Sequence, residues 1–202
     1  MKKNSTYHHG NLREELIAAA IELLDEGGVD AVGIRQVARK VGVAHSAPAN
    51  HFKNKQALFT ALATHIFRDL MTTIQSKSID SADSLRDDLH HFAKTILDTG
   101  LKYPNRYELL WRRDCADNTN TALYQAMEEI YQHLTTILQT HAKREHVDVE
   151  SQAIALWSLI HGYVSLRLDG NLIAGHDGIT GNERQTAIVD VIIEGLLKQS
   201  CL

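Results

Sequence analysis

The sequence of 202 residues contains little proline and cysteine, and it has no long apolar segment. Only two prolines are present, and no segment shows the apolar–polar alternation of a strand, so helices can occupy most of the chain. The two cysteines, Cys115 and Cys201, form no metal-type pair, which favours a reduced, cytoplasmic setting. No apolar run approaches the ~18–20 residues that span a bilayer, and the N-terminus lacks a signal-peptide core. We therefore expect an all-α cytoplasmic protein without membrane contact.

Acidic residues are missing between Gly33 and Lys55, although the chain carries a formal net charge of −4. This stretch, GIRQVARKVGVAHSAPANHFKNK, contains five Lys or Arg side chains, whereas the sequence after Lys55 is acidic. A basic end on an acidic body is typical of a protein that contacts phosphates at one end only. The alternative is an ordinary solvated charged face, and the absence of any acid throughout the stretch makes it the weaker reading.

The same basic stretch has the pattern of two short helices joined by a glycine turn. Apolar residues at i, i+3, i+4 and i+7 form one helical stripe, namely Ile34, Val37, Ala38 and Val41. Gly42 then ends that helix because glycine adopts positive φ readily. A second helix is predicted at roughly 45–51, with Phe52 anchoring its end. This is the layout of a helix-turn-helix, whose second helix enters the DNA major groove.

The remaining segments predict further helices, and none predicts a strand. The first helix opens at Asn11 and closes at Gly27-Gly28. Asn54 is a good N-cap for a long helix of some 20 residues, about 30 Å at ~1.5 Å rise per residue. Five more helices are predicted at 85–101, 105–113, 121–141, 150–168 and 183–198. We expect three regions: a flexible arm (1–10), a three-helix DNA-binding head (11–53), and a regulatory and dimerisation body (54–202) entered by the long fourth helix.

Three segments of the head carry a resemblance to a known family. They read ELIAAAIELLDEGG, IRQVARKVGV and APANHFKNKQALF, and with them the chain resembles the TetR-family transcriptional regulators over its whole length. Nearer the C-terminus, Trp157 precedes His161-Gly162 within ALWSLIHGYVSL, which is similar to the Trp-His-Gly subgroup of TetR-like C-terminal domains. The opening YHHGNLR is also similar to that subgroup. The resemblance implies a repressor that a small organic effector releases from a palindromic operator.

The resemblance also implies which residues contact DNA. Lys55 opens a helix, where free N–H groups favour a phosphate, while Asn50 could read an adenine edge. Family members often carry Ser or Thr near Gly33 and a phosphate-contacting Tyr where Ala49 stands, so Asn50 or His51 replaces that contact here. The expected DNA-binding set is Arg35, Gln36, Arg39, His45, Ser46, Ala47, Ala49, Asn50, His51, Lys53 and Lys55.

Two further sets follow from the resemblance. In relatives the corresponding helices enclose the effector, which gives a pocket lined by Phe92, Tyr103, Tyr107, Trp111, Tyr124 and Met127, although most of these also suit an ordinary core. A homodimer would pair the last two helices in a four-helix interface. Its expected residues are Trp157, Ile160, His161, Val164, Val191, Ile192 and Leu196.

No catalytic motif is found: the sequence lacks a nucleophile elbow, a phosphate loop, a Cys-x-x-Cys pair and an HExxH helix. The pairs His8-His9 and His90-His91, and His133 with His141, do not have the i, i+4 spacing of a helical zinc site. We therefore expect no enzyme activity, no cofactor and no metal. The alternative left open is a helical ligand-binding or metal-sensing module without specific DNA recognition.

Overall fold

A computed structural model describes residues 12–76, 85–112, 114–140 and 148–201, and its regular elements in these ranges are helices. The prediction of an all-α fold is confirmed. None of the described helices is both long and apolar enough to cross a membrane. The elements are α1 (Leu12–Ala31), α2 (Ile34–Val41), a 3₁₀ turn (Ala47–Asn50), α3 (Lys55–Gln75), α4 (Leu85–Lys102), α5 (Pro104–Trp111), α6 (Thr121–Thr140), α7 (Val149–Leu168) and α8 (Arg184–Cys201).

The head is formed by α1, α2, the 3₁₀ turn and the first half of α3. These elements share one apolar core that includes Leu16, Leu24, Val37, Phe52 and Leu58. As the sequence predicts, regular helix is interrupted at Gly27-Gly28, but the chain bends there and continues in helical form to Ala31.

The predicted recognition helix at 45–51 is wrong in type and length, because the chain forms only the 3₁₀ turn. Pro48 stands in the first turn of this segment, so its missing N–H costs no intrahelical bond. The N–H groups of Ala47, Ala49 and His51 donate to carbonyls three residues earlier, at 2.9, 3.2 and 2.9 Å, and the Phe52 N–H donates to the Pro48 carbonyl at 2.8 Å. Such i→i+3 bonds are the 3₁₀ pattern.

Helix α3 belongs to both parts of the molecule. Its first turn is capped by Asn54, whose Oδ1 accepts the N–H of Ala57 at 2.8 Å, as the sequence predicts. Leu58 and Leu62 lie in the head core, whereas Phe67 and Ile74 lie in the core of the body. At 21 residues the helix is about 30 Å long. It therefore connects the two cores directly.

The body packs α4, α6, α7 and α8 with the second half of α3 around fully buried residues such as Phe92, Ile130 and Leu156. A polar contact fastens α8 to α4 beside this core: Asp190 accepts from His90 Nε2 at 2.9 Å and from Arg86.

Helix α5 joins the head to the body along a second route. Leu109 is 1% exposed and lies in the head core, while Tyr107 lies in the core of the body. Two charge-assisted hydrogen bonds run from Arg106 to the Asp25 carboxylate of α1, at 2.8 and 2.6 Å. The Asn105 amide donates to the Asp25 backbone carbonyl at 3.1 Å. The eight residues of α5 are therefore held from both sides.

Candidate functional site

The basic surface of the head is built by α2 and the loop that follows it. Val37 and Ala38 are buried, whereas Arg35, Gln36 and Arg39 of α2 are exposed. Gly42 ends the helix with φ 78°, and its N–H donates to the Ala38 carbonyl at 3.0 Å. The turn brings His45 alongside α2. A surface groove of about 560 Å³ results, and its lining includes the predicted residues Arg35, Gln36, Arg39 and His45.

The second part of this surface is the 3₁₀ turn and the start of α3. Pro48 and Phe52 are buried and anchor the turn. Its other side chains face outward: Ser46, Ala49, Asn50, His51, Lys53 and Lys55 are exposed, and Ala47 is half-buried. The residues predicted to bind DNA are therefore exposed, except Ala47, which is half-buried.

The cations of this basic surface differ in whether an acidic side chain pairs with them. Lys40 of α2 lies 3.1 Å from Glu22 and 2.9 Å from Glu26 of α1, and hydrogen bonds to these carboxylates raise its pKa. It therefore ties α2 to α1. The other four cations of the stretch make no ion pair with any acidic side chain in the described ranges, namely Arg35, Arg39, Lys53 and Lys55. Their charge remains available to an anionic partner.

A hydrogen-bonded aromatic cluster joins α5 to α7 in the body. The Tyr107 hydroxyl of α5 lies 2.9 Å from His161 Nδ1 of α7. Burial raises the pKa of Tyr107 to about 12, and burial lowers the pKa of His161. At neutral pH both groups are therefore uncharged, and the tautomer of the imidazole decides which of them donates.

Further rings extend this cluster across three helices, α4, α5 and α7. The Trp111 ring centre lies 4.2 Å from that of His161 and 6.3 Å from that of Trp157, and Phe92 lies 6.3 Å beyond Trp157. The Trp111 indole N–H is buried and has no hydrogen-bond partner of normal geometry. The indole N–H lies near the Tyr107 hydroxyl and lowers the pKa of Tyr107, against the larger upward effect of burial. This donor is available to an acceptor atom of a ligand.

The six residues predicted to line an effector pocket do not lie together. Phe92, Tyr107 and Trp111 belong to the aromatic cluster, whereas Tyr124 and Met127 lie on the outer face of α6, 60% and 39% exposed. Tyr103 stacks under Arg106, whose guanidinium carbon is 4.2 Å from the ring centre. Three of the six residues therefore lie together, and the role of the set in effector binding stays a prediction. Beside Tyr107 lies a small void of about 10 Å³, lined in part by Ile66, Leu70, Gly100, Tyr103, Tyr107 and Leu110.

The residues predicted for a dimer interface also divide into groups. Ile160, Val164 and Leu196 are buried within the core of their own chain, so they have little surface left for a partner. Trp157 and His161 are half-buried members of the aromatic cluster, and Ile192 is half-buried as well. Val191, at 74% exposure, is the member of the set that faces outward.

Histidines in the described ranges do not assemble a metal centre, since no group of three potential His, Cys, Asp or Glu ligands occurs there. His90 and His91 contact different partners, the Asp190 carboxylate and the Ile74 carbonyl, at 2.9 and 2.8 Å. His8, His9 and His141 lie outside the described residues.

Two family models match the sequence. Residues 16–62 match the bacterial regulatory proteins of the tetR family, and residues 89–191 match the tetracyclin repressor-like C-terminal domain. The second match alone covers about half of the chain. The chain belongs to the TetR family. It is 46% identical over 54 residues to the class D tetracycline repressor protein of Escherichia coli, an alignment that covers 27% of this chain and 25% of that repressor.

Solved structures of other proteins share the fold of this TetR-family chain over nearly its whole length. A protein of unknown function from Rhodococcus sp. RHA1 has a TM-score of 0.77 at 29% identity, covering 95% of this chain and 98% of its own. BioQ, solved with its natural double-stranded DNA operator, has a TM-score of 0.61 at 22% identity, with 91% and 96% coverage. These similarities support the arrangement of head and body.

The pKa of His161 predicts a pH dependence of stability. Burial keeps the imidazole neutral in the folded state, whereas in the unfolded chain it binds a proton below about pH 6.5. This contribution to stability is present above that pH and is lost as the pH falls towards the lower folded pKa. Urea unfolding at about pH 7.5 and about pH 5.5 measures the loss. The His161→Gln variant should show a smaller difference in unfolding free energy between the two pH values. Part of the difference should remain, because burial also lowers the pKa of His133. An unchanged difference in His161→Gln would contradict the assignment.

Proposed function

We propose that this TetR-family protein is a sequence-specific DNA-binding transcriptional regulator, a repressor that a small organic effector releases from a palindromic operator. The observation that carries the proposal is the exposed face of α2, the 3₁₀ turn and the start of α3, with four cations that no described acid neutralises. A surface with unpaired cations, built from a stretch without acids, suits the phosphate backbone. The proposal places the protein in the cytoplasm, without a cofactor or an enzyme activity.

Within this face, two kinds of contact are assigned. Lys55 and the arginines of α2 contact phosphates, because they lie on the helices on either side of the 3₁₀ turn and not in the turn itself. Asn50, exposed at the end of the 3₁₀ turn, contacts a base edge, and His45 and Ser46 precede the turn on the same surface. The Lys55 ammonium lies 5.2 Å from the Phe59 ring centre, which holds the side chain at the first turn of α3.

Gel shifts with the protein's own promoter region test these roles. Lys55→Ala should weaken binding to all sequences alike and lower the salt slope by about one unit, because one phosphate contact is lost. Asn50→Ala should instead relax discrimination at one base pair, by ~1–3 kcal/mol for a bidentate contact. Lys94→Ala is the control, since Lys94 lies on α4 and pairs with Asp98. Absence of sequence-specific retardation at low salt would favour the alternative, a helical ligand-binding or metal-sensing module.

A homodimer is the second part of the proposal. Gly162 of α7 and Gly195 of α8 each have open space where a Cβ would stand, so their own chain gives no packing reason for glycine. Glycine inside a helix costs roughly 0.5–1 kcal/mol relative to alanine. On the same two helices Ile154, Leu166 and Val191 are 51%, 43% and 74% exposed. Close contact with a second copy accounts for both features, and it would present two heads to successive major grooves.

Gly162→Leu tests the dimer. Within one chain the added side chain enters open space, so the fold should tolerate it, but between subunits it would separate the helices. Sedimentation equilibrium should show a dimer for the wild type and a much weaker dimer for the variant. Gln125→Leu places the same side chain on the exposed face of α6 and should leave the dimer intact. A variant that dimerises like the wild type would refute this interface.

The effector site proposed here is the aromatic cluster around Tyr107, Trp111 and His161. A ligand that enters the cluster must displace rings, and α5, which carries two of them, also carries Arg106 against Asp25 of the head. Movement of α5 therefore reaches the head directly, while α3 turns a shift in the body into a displacement of Lys55. The Trp157–His161–Gly162 set lies at this site, which supports the further proposal that the C-terminal domain belongs to the Trp-His-Gly subgroup.

Asp25→Asn tests this route. Small organic compounds found by thermal shift should weaken operator binding by the wild type about 5–150-fold, the usual range of allosteric coupling, and DNA should weaken their binding equally. In Asp25→Asn the same compounds should still bind, but their effect on operator affinity should be smaller, because the pair with Arg106 is weakened. Asp98→Asn, which alters an ion pair within the body, should keep the full effect. Equal coupling in both variants would contradict the role of α5.

A further inference from the structure

The segment between α7 and α8 carries isoleucines that its own chain does not cover. Ile173 is 86% exposed and Ile179 is 95% exposed, while Leu172 beside them is 40% exposed. Isolated exposed apolar residues are common on protein surfaces, but this one segment exposes two isoleucines almost fully. We call residues 169–183 the α7–α8 loop.

Hydrogen bonds fix the shape of this loop. The Asp177 carboxylate accepts from the backbone N–H groups of Ile179 and Thr180 at 3.2 and 2.6 Å and from the Thr180 hydroxyl at 2.7 Å. The Asp177 N–H donates to the Asn182 carbonyl at 2.8 Å. These bonds close a tight turn around Ile179. The side chain is therefore held outward by the backbone.

The base of the loop is fastened in the same way. The Arg184 backbone N–H donates to the Gly175 carbonyl at 2.8 Å, and its guanidinium donates to the His176 carbonyl at 2.6 Å. A single β-bridge joins His176 to Glu183. At the other end, the Leu172 N–H donates to the Leu166 carbonyl of α7 at 2.9 Å. These hydrogen bonds therefore give the loop a defined shape between the end of α7 and the start of α8.

The loop continues the surface that we assign to the dimer. Ile154, Gly162 and Leu166 lie at intervals of eight and four residues, so they share one face of α7 that leads to the loop. On the far side of the loop, Val191 is exposed two turns into α8. An isologous two-fold interface that used this face of α7 would end next to the loop.

We propose that the α7–α8 loop is a dimer arm, whose isoleucines Ile173 and Ile179 pack against a second copy of this chain. The inference rests on the proposed homodimer and adds a contact outside its helices. The charged side chains of residues 169–183 are all acidic, namely Asp169, Asp177 and Glu183, which disfavours nucleic acid or an anionic membrane surface as the occupant. Continuity with the exposed face of α7 and α8 favours the second copy.

Sedimentation equilibrium of the full chain without DNA tests the arm. The double variant Ile173→Asp/Ile179→Asp should raise the dimer dissociation constant about tenfold or more, as loss of a buried apolar contact does. The matched control, Asn171→Asp/Asn182→Asp, adds two negative charges at exposed positions of the same loop and should leave the constant within about twofold. Ile179→Ala, which adds no charge, should weaken the dimer to a smaller extent, and circular dichroism should show unchanged helix content in all variants.

The outcomes separate the arm from the dimer itself. A wild type that is dimeric, with the same dissociation constant in Ile173→Asp/Ile179→Asp and Ile179→Ala, would overturn the arm and leave the helical interface in place. An equal loss in the aspartate control would assign the effect to charge and also overturn the arm. A wild type that is monomeric at micromolar concentration would overturn the homodimer, and the arm with it.

Discussion

The position of α5 is the constraint on which the rest of this structure depends. A helix of eight residues is too short to be stable alone in water, so tertiary contacts must fix it. Those contacts come from both parts of the molecule: Asp25 of the head holds Arg106, and His161 of the body holds Tyr107. Because Leu109 is buried in the head core, α5 cannot move in the body without disturbing the head.

The fit of α5 against the body depends on a glycine of α4. A Cβ at Gly100 would lie 2.9 Å from the Tyr107 ring and 3.0 Å from the Val164 side chain, closer than packed atoms approach. The absence of that atom lets Tyr107 reach His161 across α4. It also leaves the small void beside the tyrosine as the space from which a ligand could begin to open the cluster. The contact between α5 and the aromatic cluster is therefore close-packed, and such contacts switch between discrete arrangements.

The elements that depend on local pattern could be predicted from the sequence. The stripe of α2, the glycine at its end and the Asn54 cap are decided by residues within a few positions of each other, and they were predicted correctly. The recognition element was predicted as a short helix at roughly 45–51, but hydrogen bonds between residues three apart make Ala47–Asn50 a 3₁₀ turn.

Contacts between distant segments could not be predicted in this way. The pair of Arg106 with Asp25 joins residues 81 positions apart, and no periodicity connects them. The aromatic residues illustrate the same limit. Helical periodicity places Tyr124 and Met127 on α6, but only the packing of its neighbours decides that both side chains lie on the outer face. Likewise, Ile160 and Val164 look like interface residues from composition alone, although their own core covers them.

The closed state of the aromatic cluster has an energetic consequence for regulation. A ligand that must separate Tyr107, Trp111 and His161 binds only a conformation that is rare in the free protein, so its apparent affinity is reduced by that rarity. The same requirement makes the ligand discriminate between the two conformations, and only such differential binding can shift an equilibrium. Since the buried hydroxyl of Tyr107, with a pKa of about 12, stays protonated across physiological pH, its hydrogen bond with the neutral His161 links α5 to α7. In the proposed mechanism, a ligand whose polar group replaced this bond would free α5 from the body, and Arg106 would then carry the change to the head.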